Sequence, residues 1–256
     1  MGLYSKLIPA SVRNALRPLK DPAGALLSAM LRSKSGNRVI SGPFAGMAFR
    51  YPQQEYAMLL GTWEMELSWV WEEILASTYP LMVDVGAAEG YYAVGMAYRK
   101  PGMKVLAFEM QTRVREKLRT LQRLNGTSVE IREKCEVEDL AALGDDLAGA
   151  FVLMDVEGYE TVLLDPVSIP RLAKATILVE LHEMYAKGCR DLIKERFLHT
   201  HDIRLIEGVQ RTFDHFPAEA GMARKLFSKA RLLGYMDEGR PCAMSWFYMV
   251  PKEGEA

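Results

Sequence analysis

Three groups of residues in this 256-residue chain have the types and spacing to do chemistry. The first is Leu-Met-Val-Asp-Val-Gly-Ala-Ala-Glu-Gly at 81–90, an apolar strand running into a glycine turn. The second is Glu109, an acid that closes the apolar run 105–108. The third joins Asp155, Glu157 and Glu160 to Glu180 and His182 further on. A buried strand that turns through glycines into a helix brings backbone N–H groups close to a ligand. A carboxylate at the tip of the next strand can hold ribose hydroxyls. The first two groups together therefore describe a nucleoside-binding device.

The charge of the turn says which nucleoside it suits. Dinucleotide folds carry G-x-G-x-x-G here, so that a pyrophosphate rests on the helix N-terminus. This chain has Gly86-Ala87-Ala88-Glu89-Gly90, without the middle glycine and with an added carboxylate. Glu89 would repel a pyrophosphate and suits a ligand bearing an ammonium and a sulfonium, such as S-adenosylmethionine. That cofactor is the expectation, with an NAD(P)-dependent oxidoreductase as the alternative. Asp84, near the first strand's tip, can meet a cation or a hydroxyl, while Gly86 and Gly90 permit the turn. Glu109 is expected on the ribose and Glu136, past the third strand, on the adenine amino group. Asp155 is expected to serve both cofactor and catalysis.

Asp155 and Glu157 share one face if their strand runs through both, because side chains alternate along a strand. Such a pair could hold a divalent cation or divide base and orienting roles. The sequence completes no ligand set, so no metal is assigned. Glu157 could equally be a helix N-terminal carboxylate satisfied by backbone N–H groups. His182 has the pKa range of a general base near neutrality, or is a hydrogen-bonded structural residue. Glu180 closes the same strand. His199, His201 and His215 read as surface residues. Arg211, His215 and Arg224 are candidates for contact with an anionic or sugar substrate.

Positioning these groups requires strands that alternate with helices. Strand-like runs fall at Leu81–Val85, Lys104–Phe108, 129–132, 151–156, 176–181, 203–206 and 243–250. The clearest helix is Thr112–Asn125, with Val114, Leu118, Leu121 and Leu124 on one face and a stop at Asn125-Gly126. The alternation implies βαβ units, a parallel sheet covered on both faces, and chemistry at the strands' carboxyl ends. A helix over 218–233 is expected within an insert at 208–242. Upstream, a hairpin over 39–51 turns at 42–46, and a helix capped by Thr62 carries Trp63, Leu67, Val70, Trp71 and Ile74. Its tryptophans read as packing.

Composition bounds the rest. A net charge of -1 gives no overall bias toward nucleic acid. Three widely spaced cysteines, Cys135, Cys189 and Cys242, argue against a disulfide framework and for a reducing compartment. Residues 1–38 form a basic leader, with seven Lys and Arg against Asp21 alone. It either rests on an anionic membrane surface or packs on the domain. No run is apolar enough to span a bilayer and no secretory order is present, so the expectation is cytoplasmic, with the leader as the candidate membrane contact.

Together, Val83-Asp84-Val85-Gly86-Ala87-Ala88-Glu89-Gly90-Tyr91-Tyr92, Ala107-Phe108-Glu109-Met110, Met154 through Glu160, and Ile177 through His182 resemble the FkbM-type family of S-adenosylmethionine-dependent methyltransferases. Gly61-Thr62-Trp63-Glu64 is similar to a segment preceding the first motif in such proteins. Two positions depart: Met110 stands where members often have proline, and Ala88 where asparagine is common. The resemblance covers about residues 60–207. It implies an α/β fold: a three-layer, Rossmann-like class I methyltransferase sheet, mostly parallel with an antiparallel last strand. Residues 1–38 and 39–80 would precede a methyltransferase domain over 81–256. The expected activity is O-methylation of a hydroxyl on a small molecule or glycan. A cofactor-binding partner without catalysis, docking through its leader, is the reading from another class. Neither acceptor nor oligomeric state follows from the sequence.

Overall fold

The computed structural model describes residues 21–50, 56–240 and 242–252. Most of the leader, residues 1–20, and the last residue of the expected hairpin, Tyr51, lie outside the described residues. The chain first forms helices α1 (Pro22–Ser35), α2 (Tyr56–Leu60) and α3 (Ser68–Ala76). The core alternation follows: β1 (Leu81–Val85), α4 (Tyr91–Arg99), β2 (Lys104–Phe108), α5 (Thr112–Asn125), β3 (Glu130–Arg132) and α6 (Val137–Ala141). Then come β4 (Phe151–Met154), α7 (Glu160–Leu163), β5 (Thr176–Glu180), α8 (Cys189–Phe197) and β6 (His201–Glu207). Helices α9 (Met222–Leu226) and α10 (Lys229–Tyr235) lead to β7 (Ser245–Pro251).

The seven strands make one sheet in the order β3-β2-β1-β4-β5-β7-β6. Six run in one direction, and β7 inserts antiparallel between β5 and β6. This is the Rossmann-like sheet with an antiparallel last strand that the sequence implied. The order reverses at β1, whose neighbours are β2 and β4, so the tips of β1 and β4 face a crevice where ligands of open α/β sheets bind.

Alternation along β1 assigns its side chains to two cores. Met82 packs with Phe44, Trp71 and Val94 on one face, while Leu81, Val83 and Val85 join Val152, Val179 and Leu163 on the other. All five β1 residues are buried. A strand buried on both faces holds its tip rigidly, which is what a site at that tip needs.

Differences from the expected elements cluster upstream and in the insert. Residues 21–38, expected within the leader, pack on the domain. Asp21 caps α1 through the Gly24 N–H, Pro22 opens it, and Gly36 ends it in the left-handed conformation. The Asp21 carboxylate meets the Arg231 guanidinium on α10 at 2.7 Å, and Ser28 meets the Tyr235 hydroxyl at 2.8 Å. The expected hairpin forms as a short pairing: Arg38 bridges Ala48, the Val39 N–H donates to the Met47 carbonyl at 2.8 Å and the Phe49 N–H to the Asn37 carbonyl at 2.7 Å. Thr62 does not cap a helix; its hydroxyl donates to the Ala57 carbonyl. Glu64 takes a left-handed conformation, so a 3-10 turn at Met65–Leu67 intervenes before α3. In the insert, Gly221 and the Ser228 cap divide the single expected helix into α9 and α10. Among the described residues no helix is long and apolar enough to cross a membrane.

Candidate active site

The glycine turn is fixed by how closely β1 and β4 approach. Gly86 has φ +89, and a Cβ added there would lie 1.7 Å from the Asp155 carbonyl oxygen. No other residue fits. At Gly90, φ is +91 and an added Cβ would meet Leu118 on α5 at 2.6 Å. The Gly86 and Ala87 N–H groups both donate to the Phe108 carbonyl at 2.9 Å, tying the turn to the end of β2.

Glu109 is buried at that end and anchored by backbone. Its Oε2 accepts the Ala88 N–H at 3.2 Å and its Oε1 the Gln111 N–H at 2.7 Å. Each carboxylate oxygen keeps a second lone pair for a ligand. Arg115 closes the back of the site, donating to the Glu109 and Met110 carbonyls at 2.8 Å each.

Three cavities with shared walls run along the strand tips. One of about 300 Å³ is lined by Phe108, Glu109, Met110, Cys135, Val156 and Leu163 among others. A second, about 80 Å³, lies over the turn against Glu64, Asp84, Tyr91, Tyr92 and Trp246. A third, about 260 Å³, is walled by Trp63, Glu157, Glu180, His182, Tyr185 and Arg240. Asp155 lines all three.

The small cavity is acidic. Asp84 is buried with Oδ2 lacking a hydrogen-bond partner, and burial pushes its carboxyl up to about 7. A buried acid with an open acceptor atom favours a cationic ligand, whose charge would offset the desolvation. Glu64 accepts from the Tyr92 hydroxyl and pairs with Arg240. Burial and the Glu180 charge still raise Glu64 to about 8.

The third cavity holds the residues expected to do chemistry. Strand β4 ends at Met154, and Glu157 has φ +55, so strand alternation does not place Asp155 and Glu157 together. The loop does so instead. His182 Nε2 lies 3.5 Å from Asp155 Oδ1 and 3.6 Å from Glu157 Oε2. Its Nδ1 meets Glu160 Oε1 at 2.6 Å inside the protein, and Tyr185 stacks on the ring. Burial pulls the imidazole pKa down, but the Glu160 hydrogen bond and surrounding carboxylates outweigh it and lift the ring to about 9. The imidazolium form of His182 is thereby favoured over the free imidazole that its expected role as a general base uses. Asp155, half-buried at the cavity mouth, moves toward neutrality: its burial first, then the Glu64 charge, raise its carboxyl to about 7.

Other expected residues sit differently. Glu89 borders the small cavity, but its carboxylate already pairs with Lys117 on α5 at 2.6 Å. In this cavity the carboxylate oxygen without a partner belongs to Asp84. Glu136 does not line the 300 Å³ cavity. Its carboxylate accepts from the Tyr159 hydroxyl at 2.7 Å and from Lys134 at 2.6 Å. Cys135 and Lys134 border the cavity there instead. Glu180 lies in the wall of the third cavity and is bonded to Arg240. His201 is buried and bonds the Ala175 carbonyl at 2.9 Å, not a surface residue. Arg211 pairs with Glu66 and Glu238, and Arg224 stacks on Phe213. His215 Nδ1 accepts the Thr212 N–H.

Sequence reasoning missed Arg240, Glu64 and the role of Glu160. Arg240 reaches from the insert to Glu64, Glu180 and Glu238 at once, and its guanidinium lies 5.3 Å from both the Trp63 and Trp246 rings. Nothing in its polar loop marks it. Glu160 was visible as the third acid of its block, and its spacing from Glu157 could have suggested a helix-start carboxylate turned inward.

No family model matches the chain, and no curated protein does. Among solved structures, a candidate O-methyltransferase from Klebsiella pneumoniae is 12% identical, covering 97% of this chain and 94% of that one at a TM-score of 0.46. Cofactor-bound Rv0187 from MTB is 14% identical, with 89% of each chain covered and a TM-score of 0.43. The Pyrococcus abyssi tRNA (uracil-54, C5)-methyltransferase in complex with S-adenosyl-L-homocysteine is 12% identical over 74% of this chain and 39% of that one, at 0.45. At such identities and scores these likenesses decide nothing about the chemistry of this chain, which rests on the site itself.

Proposed function

We propose that this chain is an S-adenosylmethionine-dependent methyltransferase of FkbM type that methylates a hydroxyl on a small molecule or glycan. The observation that carries the reading is Asp155, the shared wall of all three cavities. A nucleoside held by Glu109, a cationic tail held by Asp84 and an acceptor beside His182 would converge on it. Asp84, with its buried open oxygen, fits an ammonium, and the apolar wall of Phe108, Val156 and Leu163 fits a base.

When bound, the cofactor supplies an electrophilic methyl carbon; the acceptor oxygen bonds to it as the carbon–sulfur bond breaks and its electron pair passes to sulfur. The protein's part is to align the acceptor and take its proton. Asp155, raised to about 7, takes that proton, because a base is most effective when its pKa lies near the working pH. Protonated His182, held by Glu160, faces the oxygen and stabilises its developing charge. Glu157 sits opposite and orients the acceptor hydroxyl, while Glu180 fixes Arg240 in the wall.

Isothermal titration with S-adenosylmethionine, followed by a methyl-transfer screen against sugars, lipid-linked glycans and polyketide-like alcohols, tests the reading. We expect cofactor binding, and turnover that falls by roughly 10²–10⁴ in Asp155→Ala and His182→Ala. A folded sample that binds NAD and not S-adenosylmethionine overturns it.

A further inference from the structure

We propose that Asp155, Glu157 and His182 form a binding site for a divalent first-row transition metal ion. One ligand atom from each residue lies within 4.8 Å of the others. The Nε2-to-carboxylate distances of 3.5 and 3.6 Å are long for hydrogen bonds. They are close to the edge of a tetrahedron around an ion with bonds of about 2.1 Å, which is roughly 3.4 Å.

The histidine is prepared for this role. It is 3% exposed, and its Nε2 points at the two carboxylates rather than at a hydrogen-bond acceptor in contact. Its other nitrogen is held at 2.6 Å by the fully buried Glu160, whose Oε1 also accepts the Val156 N–H at 3.1 Å. A buried carboxylate on the far nitrogen of a metal-binding histidine fixes its tautomer and turns the remaining lone pair toward the ion. No comparable anchor is needed for a surface cluster of acids.

Charge and access agree. Glu64 and Glu180 are already bonded to Arg240, and the carboxylates nearest His182 Nε2 are those of Asp155 and Glu157. Their side chains are 45% and 70% exposed, on the third cavity, which gives an ion a way in and leaves coordination positions open. The same negative field that keeps a proton on His182 attracts a dication in its place. An imidazole beside two carboxylates suits manganese or zinc better than magnesium or calcium, which prefer oxygen alone.

With the ion bound, Asp155 would act as a ligand rather than as the base. The ion would replace the imidazolium proton as the positive charge facing the acceptor and lower the acceptor hydroxyl's own pKa. That role rests on the methyltransferase reading, whereas ion binding itself does not. The full chain, freed of metal by chelation, is titrated with Mn²⁺ and the free ion counted by electron paramagnetic resonance. We expect one Mn²⁺ per chain, displaced by Zn²⁺, with binding lost in His182→Ala and Asp155→Ala. Glu160→Gln should weaken it by about 10- to 100-fold, and exposed Glu195→Gln should leave it unchanged. In the unaltered protein, Mn²⁺ should broaden the His182 ring resonances, a readout that does not depend on any variant folding. Failure of the unaltered chain to bind either ion, or binding that survives His182→Ala with a native circular dichroism spectrum, overturns the site. Titration of S-adenosylmethionine in chelator separates the two ideas, since cofactor binding without Mn²⁺ binding leaves the enzyme reading standing and removes the metal.

Discussion

Between β1 and β3 the wall of the site is mostly backbone, whereas between β4 and β7 it is mostly side chain. On the first side, Gly86 and Ala87 donate to Phe108, and Ala88 and Gln111 donate to Glu109. These partners lie 21 or 22 residues apart at most, within one βαβ unit. On the second side, Arg240 joins Glu64 to Glu180 across separations of 176 and 60 residues. A nucleoside has a constant shape, and a short motif of fixed backbone suffices to hold it. An acceptor pocket must be specific, and on the methyltransferase reading proposed above its wall would be closed by an arginine from an insert that the core sheet does not need.

The contrast predicts that the two sides fail differently. Arg240→Met should have the largest effect, because it leaves buried Glu64, Glu180 and Glu238 without their common cation. Breaking one partner of a buried pair costs about 3–5 kcal/mol. The loss should depend on pH with a definite sign. Glu64 and Glu180 already titrate near 8 with the arginine present, far above their unfolded range, so the folded state binds more protons than the unfolded state between those limits. Stability contributed by these acids is therefore highest at low pH and falls as pH rises. Denaturant unfolding of Arg240→Met at pH 5 and pH 8.5 should show most of the loss at the higher value. An equal loss at both would mean that the side-chain wall is held by packing on Trp63 and Trp246 rather than by charge.

On the backbone side, Glu109→Ala should weaken S-adenosylmethionine by roughly 10- to 150-fold, the loss of a charged hydrogen bond worth about 1.5–3 kcal/mol. Glu109→Gln keeps one acceptor oxygen and should lose less. Calorimetric titration gives both numbers. If Glu109→Ala instead unfolds the protein as severely as Arg240→Met, the turn is not the self-contained unit its local hydrogen bonds suggest.

The same contrast explains what could be read from the sequence. Strands β1 and β2 and helix α5 end where periodicity and the Asn125-Gly126 stop place them, because both faces of the sheet and one face of the helix are buried. Asp84, Gly86 and Glu109 were legible because their geometry is local. Glu89 and Glu136 are expected on the ligand by type and position; in the fold their carboxylates also pair with nearby lysines and Tyr159, contacts that pattern alone does not reveal. Helix α1 carried its own signals in Asp21, Pro22 and Gly36, which the basic charge of its surroundings obscured. Arg240 was illegible because its partners meet only after the sheet has formed.

The smallest effect is the sharpest test, since it compares one backbone conformation on the two sides. Ala88 and Glu64 both have φ near +45, a region that costs a non-glycine residue about 1–2 kcal/mol. Of the four described non-glycine residues with positive φ, only Asn37 lies away from the three cavities. The Ala88 side chain makes no polar contact that glycine would lose, and its N–H keeps its bond to Glu109. Ala88→Gly should therefore stabilise the protein by about 0.5–1 kcal/mol, once the greater freedom of glycine in the unfolded chain is set against the relieved strain. Ala88→Asn should move the same way. Glu64→Gly relieves equal strain but removes the carboxylate that Tyr92 and Arg240 share, and should destabilise. Opposite signs in thermal unfolding would show that strain is tolerated at Ala88 for the path of the backbone and at Glu64 for the side chain it aims. Equal signs would erase the distinction between the two walls.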